Sequence, residues 1–383
     1  MNVCMHDVGN GLNLFVNHKM MIDFGGDIDK ISNYHYHRCC RCYPVHHIET
    51  FVLSHFHEDH YNGLFFLNHS LFNLKQVYYP GIPTIIDKNG KNIGITFFSY
   101  LMAMNHYITL GTSSGSAAAD LIEQLRQVST TAFQYAPLFK GDTFNHNGTK
   151  YEVLWPPRII NIKSHTNGKT LDSEDKVIIT KIKKAIGAFE KAKVEHPELD
   201  ELAEKYSKAI TEKYKHENPT HEEKYNYPNA NMNSTDIKLD KEPFTNEPTG
   251  VSELPPLVKT ANDALRTAAN DLSLAFKSEN NKILFLGDLE TNQINRVCQS
   301  LSRKQFDVFI TPHHGTHKGG GMKLLSIKIA LSSVGSLYKG YVKNPDLKHI
   351  TNKLDTYNDG CIHAYIHHSS IDIERCKYSS KTI

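Results

Sequence analysis

Four side chains able to ligate a metal, His55, His57, Asp59 and His60, fall within six residues, directly after the short apolar run Thr50-Phe51-Val52-Leu53. No other feature constrains the fold as strongly. A strand that ends on reactive groups holds them on rigid backbone while leaving them open to a substrate. On an extended segment, residues 55 and 57 aim two imidazoles the same way. The adjacent Asp59-His60 pair can then reach a second position, as a two-metal site with ions about 3.5–4 Å apart requires. Imidazole with carboxylate suits Zn, and also Mn or Fe. The competing reading is a polar loop with chance histidines, and four ligands at this spacing after an apolar strand weigh against it.

Composition narrows the class. The 383 residues are 39% hydrophobic and 22% charged, ordinary for a globular chain with a sizeable core. A formal charge of +2 argues against a protein coated in positive potential, although a local basic patch stays open. No apolar run approaches the roughly 18 residues of a membrane helix, and no signal-peptide pattern opens the chain. Seven cysteines, an odd number, do not read as a disulfide framework. A soluble protein of the reducing cytoplasm, with no membrane contact, is the expectation.

Along the chain, Val3–Val16 reads as two short strands around a Gly9–Gly11 turn, and Lys19–Gly26 as a strand ending on Asp23 and two glycines. Residues 61 to about 140 are mixed, with one amphipathic helix near Ala117–Val128. Lys150–Pro157 closes this half with a strand and a double-proline stop. The spacing of Ile178, Ile182, Phe189, Leu199, Leu202 and Tyr206 predicts helices over 172–215, broken at Pro197 and forming an antiparallel hairpin. Residues 216–256 read as a long flexible loop. Order returns at Leu272, with a hairpin whose second strand, Lys282–Gly287, ends on Asp288. A helix near 290–302 and the strand Phe306–Thr311 follow, the latter leading into Pro312-His313-His314-Gly315. The division expected is 1–160, an insertion at 161–256, and 257–383.

His-x-His-x-Asp-His after a strand resembles the signature of the metallo-β-lactamase superfamily. More narrowly, the chain resembles the soluble metallo-β-lactamase-like domain of bacterial DNA-internalisation competence proteins. The matching stretches are His6-Asp-Val-Gly-Asn-Gly, Met21-Ile-Asp23-Phe-Gly-Gly, Leu53–His60, Val153-Leu-Trp-Pro-Pro, Asn270-Asp-Leu-Ser-Leu, Leu284-Phe-Leu-Gly-Asp288 and Pro312-His-His-Gly-Thr. The resemblance implies an α/β fold, the αββα sandwich, here with a helical insertion. It implies that His55 and His57 hold one metal, Asp59 and His60 the other, and that Asp288 bridges them. Two divalent ions are expected, Zn first and Mn next. Asp59 and His314 are the expected catalytic groups, with His314 also a ligand and His313 the less favoured of the pair. Asp23 matches a carboxylate that orients a ligand histidine, with capping of the glycine turn as the alternative. The chain departs from the family at Asn10-Gly11-Leu12 and at Asn344-Pro345. A further histidine ligand has no secure position; His106 and His146 are the candidates.

The chemistry implied is hydrolysis by metal-bound hydroxide, so no Ser or Cys nucleophile is needed. Phosphodiesters of nucleic acid or nucleotides lead by family analogy. Amide, ester or lactone cleavage uses the same chemistry. A non-catalytic metal-binding scaffold, recruiting a partner or a second copy through the 172–215 helices, is the other class. Lys181, Lys183, Lys184 and Lys191 could form a basic strip for phosphates or a solvated helix face. A second cluster, His35, His37, Cys39, Cys40, Cys42, His46 and His47, lacks regular zinc spacing and reads better as a polar segment.

Overall fold

The strands form two large sheets and a third of two strands, Thr84–Ile86 with Ile159–Asn161. The computed structural model describes residues 1–27, 30–31, 48–66, 72–111, 125–126, 128–161, 173–217, 254–337 and 344–376. The His35–His47 cluster, most of the helix expected near 117–128, and most of the 216–256 segment lie outside these residues. One sheet has eight strands, in the order Ile371–Cys376, Cys361–Ile366, Asn2–Met5, Asn13–Val16, Met20–Phe24, Thr50–Val52, Gln76–Pro80 and Gln134–Leu138. It is antiparallel up to Met20–Phe24 and parallel beyond. The other has seven, in the order Asn352–Asp355, Ser326–Ser332, Gln305–Ile310, Ile283–Phe285, Ala275–Ser278, Thr149–Trp155 and Thr143–His146. It too joins a parallel half to an antiparallel half.

Successive strand residues point to opposite faces. Leu14, Val16, Met20, Ile22 and Val52 of the first sheet share one apolar cluster with Phe276, Ile283, Phe285, Val308 and Ile310 of the second. Their neighbours Phe15, Met21, Phe51, Leu284 and Phe309 belong to a second cluster, which also takes in the helices. The chain is thus mixed α/β, with an apolar layer shared by its two large sheets.

The helices depart from the sequence reading in three ways. Helix α1 (Gly94–Gly111) carries no amphipathic signal, because Phe97, Phe98, Leu101, Met102, Ala103 and Met104 are buried around its whole circumference. Helices α2 (Ser173–Glu195) and α3 (Glu198–Glu217) break where Pro197 predicts. Yet they touch each other little: α2 lies along α4 (Pro256–Asn270), and α3 along α1. Their apolar residues are spent on other helices, Phe189 of α2 also stacking on Tyr100 of α1 at 4.1 Å. The sequence reading gives no element to helix α4, between the 216–256 loop and Leu272; Pro255, Pro256 and a buried stripe of small residues, Ala261, Ala268 and Ala269, disguise it. Helix α5 (Thr291–Ser300) falls where expected. Among the described residues, no helix is long and apolar enough to cross a membrane.

Candidate metal centre

The candidate ligands gather where parallel strands of both sheets end. Thr50–Val52 leads into Leu53–His60, with Glu58–His60 as a single 3-10 turn. Glycine at 25 is required there, because a Cβ would lie 2.3 Å from the Asp59 carbonyl oxygen. Ile283–Phe285 leads to Gly287, at φ +53, and to Asp288. Gln305–Ile310 leads to a tight turn in which His313 and His314 are both left-handed, at φ 46 and 57. Two consecutive non-glycine residues in that region carry strain, a common mark of functional turns. Asn344 steadies the turn by donating to the carbonyls of Gly315, at 3.2 Å, and His317, at 2.7 Å.

Two groups of potential ligands converge among the described residues: His55, His60 and Asp288; and Asp59, His60 and His314. The Asp288 carboxylate lies 3.6 Å from His55 Nε2, 3.5 Å from His60 Nε2 and 3.7 Å from His313 Nε2. Asp59 Oδ2 lies 3.8 Å from His314 Nε2 and 4.0 Å from His60 Nε2. This grouping differs from the one expected. His60 belongs to both groups, and His57 to neither. The His57 Nδ1 sits 2.9 Å from His55 Nε2 instead. His106 bonds Tyr206, against α3. His146 bonds Thr50, at the start of the strand whose other end carries His55. Neither lies in these groups.

Hydrogen bonds at Nδ1 hold the rings of His314, His60, His55 and His313. His314 Nδ1 faces the Ser333 carbonyl at 2.9 Å, an acceptor only, so Nδ1 carries the proton and Nε2 the lone pair. His60 Nδ1 faces Asp23 Oδ2 at 2.7 Å and, at 3.2 Å, the Ser54 hydroxyl, which also lies 2.9 Å from His55 Nδ1. Asp23, wholly buried, also accepts from the Ser54 backbone N–H at 2.7 Å. Thr316 donates its hydroxyl proton to the His313 carbonyl, so it accepts from His313 Nδ1 at 2.6 Å. Nε2 again carries the lone pair. Carboxylate and carbonyl support of this kind is what orients metal-binding imidazoles.

Charge inside the cluster is tightly coupled. Burial drives His55 and His57 well below the usual histidine range, and burial takes His313 to about 4. Burial also disfavours a proton on His60, but the carboxylates of Asp288 and Asp23 outweigh it and hold His60 well above that range. Against the penalty of burial, Arg266 draws Asp59, and His60 draws Asp288, well below the usual carboxylate range. A cation at the centre of these groups is therefore favoured, and a metal ion would take over from the proton on His60.

Sequence reading missed Ser54, Ser333 and Arg266. Arg266 Nη2 donates to Asp59 Oδ1 at 3.1 Å. It also missed a polar chain behind His313. His317 stacks on His313 at 3.9 Å, faces Glu290 at 3.7 Å, and Glu290 lies 4.0 Å from Lys181. Lys181 bonds the buried Asp271 at 2.9 Å, and Lys183 bonds Asp87 at 3.0 Å, so these two lysines neutralise body carboxylates. Lys184 and Lys191 are exposed.

Asp271 gives a pH-dependent prediction. Burial pushes its carboxyl up to about 6, against the pull of Lys181. A folded value above the unfolded one means a contribution fully present below about pH 4 and lost as pH rises through about 6. The loss is about 3 kcal/mol. Asp271→Asn removes this titration. Urea unfolding at pH 4 and pH 7 should show the variant gaining about that much relative to the native chain at the higher pH. A difference that stays flat between the two pH values rules out this environment for Asp271.

No protein-family model matches the chain, and no curated protein does. Solved structures that match include the metallo-β-lactamase fold protein YhfI from Bacillus subtilis, at 11% identity and a TM-score of 0.21. The match covers 40% of this chain and 52% of that one, so this chain spans about half the length of that structure. An overlap this loose carries no argument about fold or site, and no link to the competence proteins is shown.

Proposed function

We propose that the chain is a metal-dependent hydrolase of the metallo-β-lactamase superfamily, acting on phosphodiesters of nucleic acid or nucleotides. The two sheets with their shared apolar layer are read as that superfamily's αββα sandwich. Residues 161–256 are read as its insertion, with α2 and α3 docked on the body. One observation carries the functional reading. The Nε2 atom of His57 is buried without a hydrogen-bond partner, and that of His60, also buried, lies 3.5 Å from Asp288 and 4.0 Å from Asp59. A buried polar nitrogen left bare is costly, so such atoms call for a ligand.

The residues fit two divalent ions, with Zn the best match to imidazole and carboxylate, and Mn next. His55, His57 and Asp288 would hold one, and Asp59, His60 and His314 the other, with Asp288 between them. Bound there, the ions would supply Lewis-acid activation of water and of the phosphoryl oxygen. The chain's own part is to orient the imidazoles through Asp23, Ser54 and the Ser333 carbonyl. Leu12, Phe285 and Ile310 put apolar walls on a small cavity lined by His60, Asp288 and His314.

Metal content of the purified protein, measured with hydrolysis of bis-p-nitrophenyl phosphate, tests this. About two metals per chain with diester hydrolysis is the expected result. Two metals without it would move the reading to amide or lactone cleavage. Absence of bound metal after supplementation with Zn or Mn would overturn it.

A further inference from the structure

Among the described residues, Ile371–Cys376 is an edge strand of the eight-stranded sheet, paired antiparallel along its whole length with Cys361–Ile366. The register sets Cys376 directly opposite Cys361. Opposed residues of such a pair share one face, with Cα atoms about 4.5–5.5 Å apart, inside the span of about 4.4–6.8 Å that a disulfide tolerates. Both side chains pack in the same apolar cluster, Cys361 wholly buried and Cys376 half-buried at its margin. Both are thiols. Cys4 lies in that cluster too, but its cross-strand neighbour is His363, whose Nε2 is 3.8 Å from Cys4 Sγ. The cysteine pair stands at the end of the sheet from which the candidate metal ligands project. Cys361 Sγ accepts from the Asp7 backbone N–H at 3.5 Å. The turn that follows Asp7 runs to Leu12, whose N–H reaches the Asp59 carbonyl at 3.4 Å.

We propose that Cys361 and Cys376 form a reversible cross-strand disulfide, made by exchange with a low-molecular-weight disulfide, that latches the edge strand to the sheet. The latch does not depend on the hydrolase reading. Cys376, the nearer to solvent, reacts first. Its thiolate attacks one sulfur of the small disulfide, that S–S bond breaks, and one small thiolate leaves and takes up a proton. Cys361 then gives its proton to solvent, attacks Cys376 Sγ and expels the second small thiolate, which is protonated in turn. Two protein thiols are thereby oxidised by two electrons while one small disulfide is reduced to two thiols. Hydrogen bonds at either sulfur, such as that from Asp7, are weak and give way to the new bond. Closing the hairpin takes freedom from the opened strand, so the edge opens less often. A strand bonded along one side only is where such a fastening has most effect.

The test treats the folded full chain with oxidised glutathione, alkylates and digests it, and maps linked peptides by mass spectrometry. Amide hydrogen exchange over 371–376 is followed in parallel. The native chain is expected to yield a peptide linking Cys361 to Cys376, abolished by dithiothreitol. Exchange over 371–376 should slow roughly tenfold to a hundredfold on oxidation and recover on reduction. Cys376→Ser and Cys376→Ala should give neither the linked peptide nor the slowing, which separates the bond from other effects of the oxidant. No linkage in the folded chain, linkage that forms only in urea, or linkage of Cys376 to a different cysteine overturns the proposal. So does a linked chain whose exchange is unchanged, since the bond would then latch nothing.

Discussion

Replacing His60 by alanine is expected to empty one ion position and to leave the other. Its Nδ1 is committed to Asp23, so Nε2, 3.5 Å from Asp288 and 4.0 Å from Asp59, is the one nitrogen it can give to a metal. His314→Ala should likewise spare the ion assigned to His55, His57 and Asp288. Metal analysis of the two variants should find about one ion in each, against about two in the native chain. Diester hydrolysis should fall in His60→Ala by roughly a thousandfold or more, because Lewis-acid stabilisation worth several kcal/mol goes with the lost ion. If His60→Ala still holds two metals, His60 is not a ligand.

Asp23 has the second large effect, although it faces no substrate. Its carboxylate receives the Ser54 backbone N–H and holds His60 Nδ1, both at 2.7 Å, with no exposure to water. Burial pushes its own pKa up, opposed by His60 and Ser54. Asp23→Ala strands a buried donor and unties the His60 ring. Metal affinity should drop about 10–100-fold, as for other carboxylates that orient ligand imidazoles. Stability should drop by about 3–5 kcal/mol, the cost of breaking a buried charged pair. Asp23→Asn keeps the shape and suits the left-handed backbone at φ 55, so its stability loss should be smaller. Chelator competition and urea unfolding measure the two effects. Unchanged affinity in Asp23→Ala would mean that His60 needs no support.

What the sequence discloses depends on how local each feature is. His55 to His60 announce themselves because four ligands share one strand end. Asp288 and His314 are legible only through resemblance, since a carboxylate after a glycine is by itself an ordinary turn residue. Arg266 is invisible because 207 residues separate it from Asp59, and α4, which carries it, opens on two prolines and buries small side chains. Helix α1 escapes for the opposite reason: burial on every side erases the periodicity that marks a surface helix. The strands read well because, with one face on the other sheet and the next on a helix, they are short continuous apolar runs that end at glycines and polar turns. The pairing of α2 with α4, and of α3 with α1, was not legible, because an apolar stripe states that it will be covered and not by what.

The shared centre also bears on how the two sheets are held together. His55, His57, Asp59 and His60 hang from the eight-stranded sheet, and Asp288 and His314 from the seven-stranded one, so their union spans the seam between the sheets. The apolar layer within that seam is non-directional, and oily faces can slide over one another at modest cost. Ligands at fixed bond lengths cannot. An ion seated there would act as a rivet between distant stretches of chain, and would tie the relative placement of the sheets to the free metal concentration.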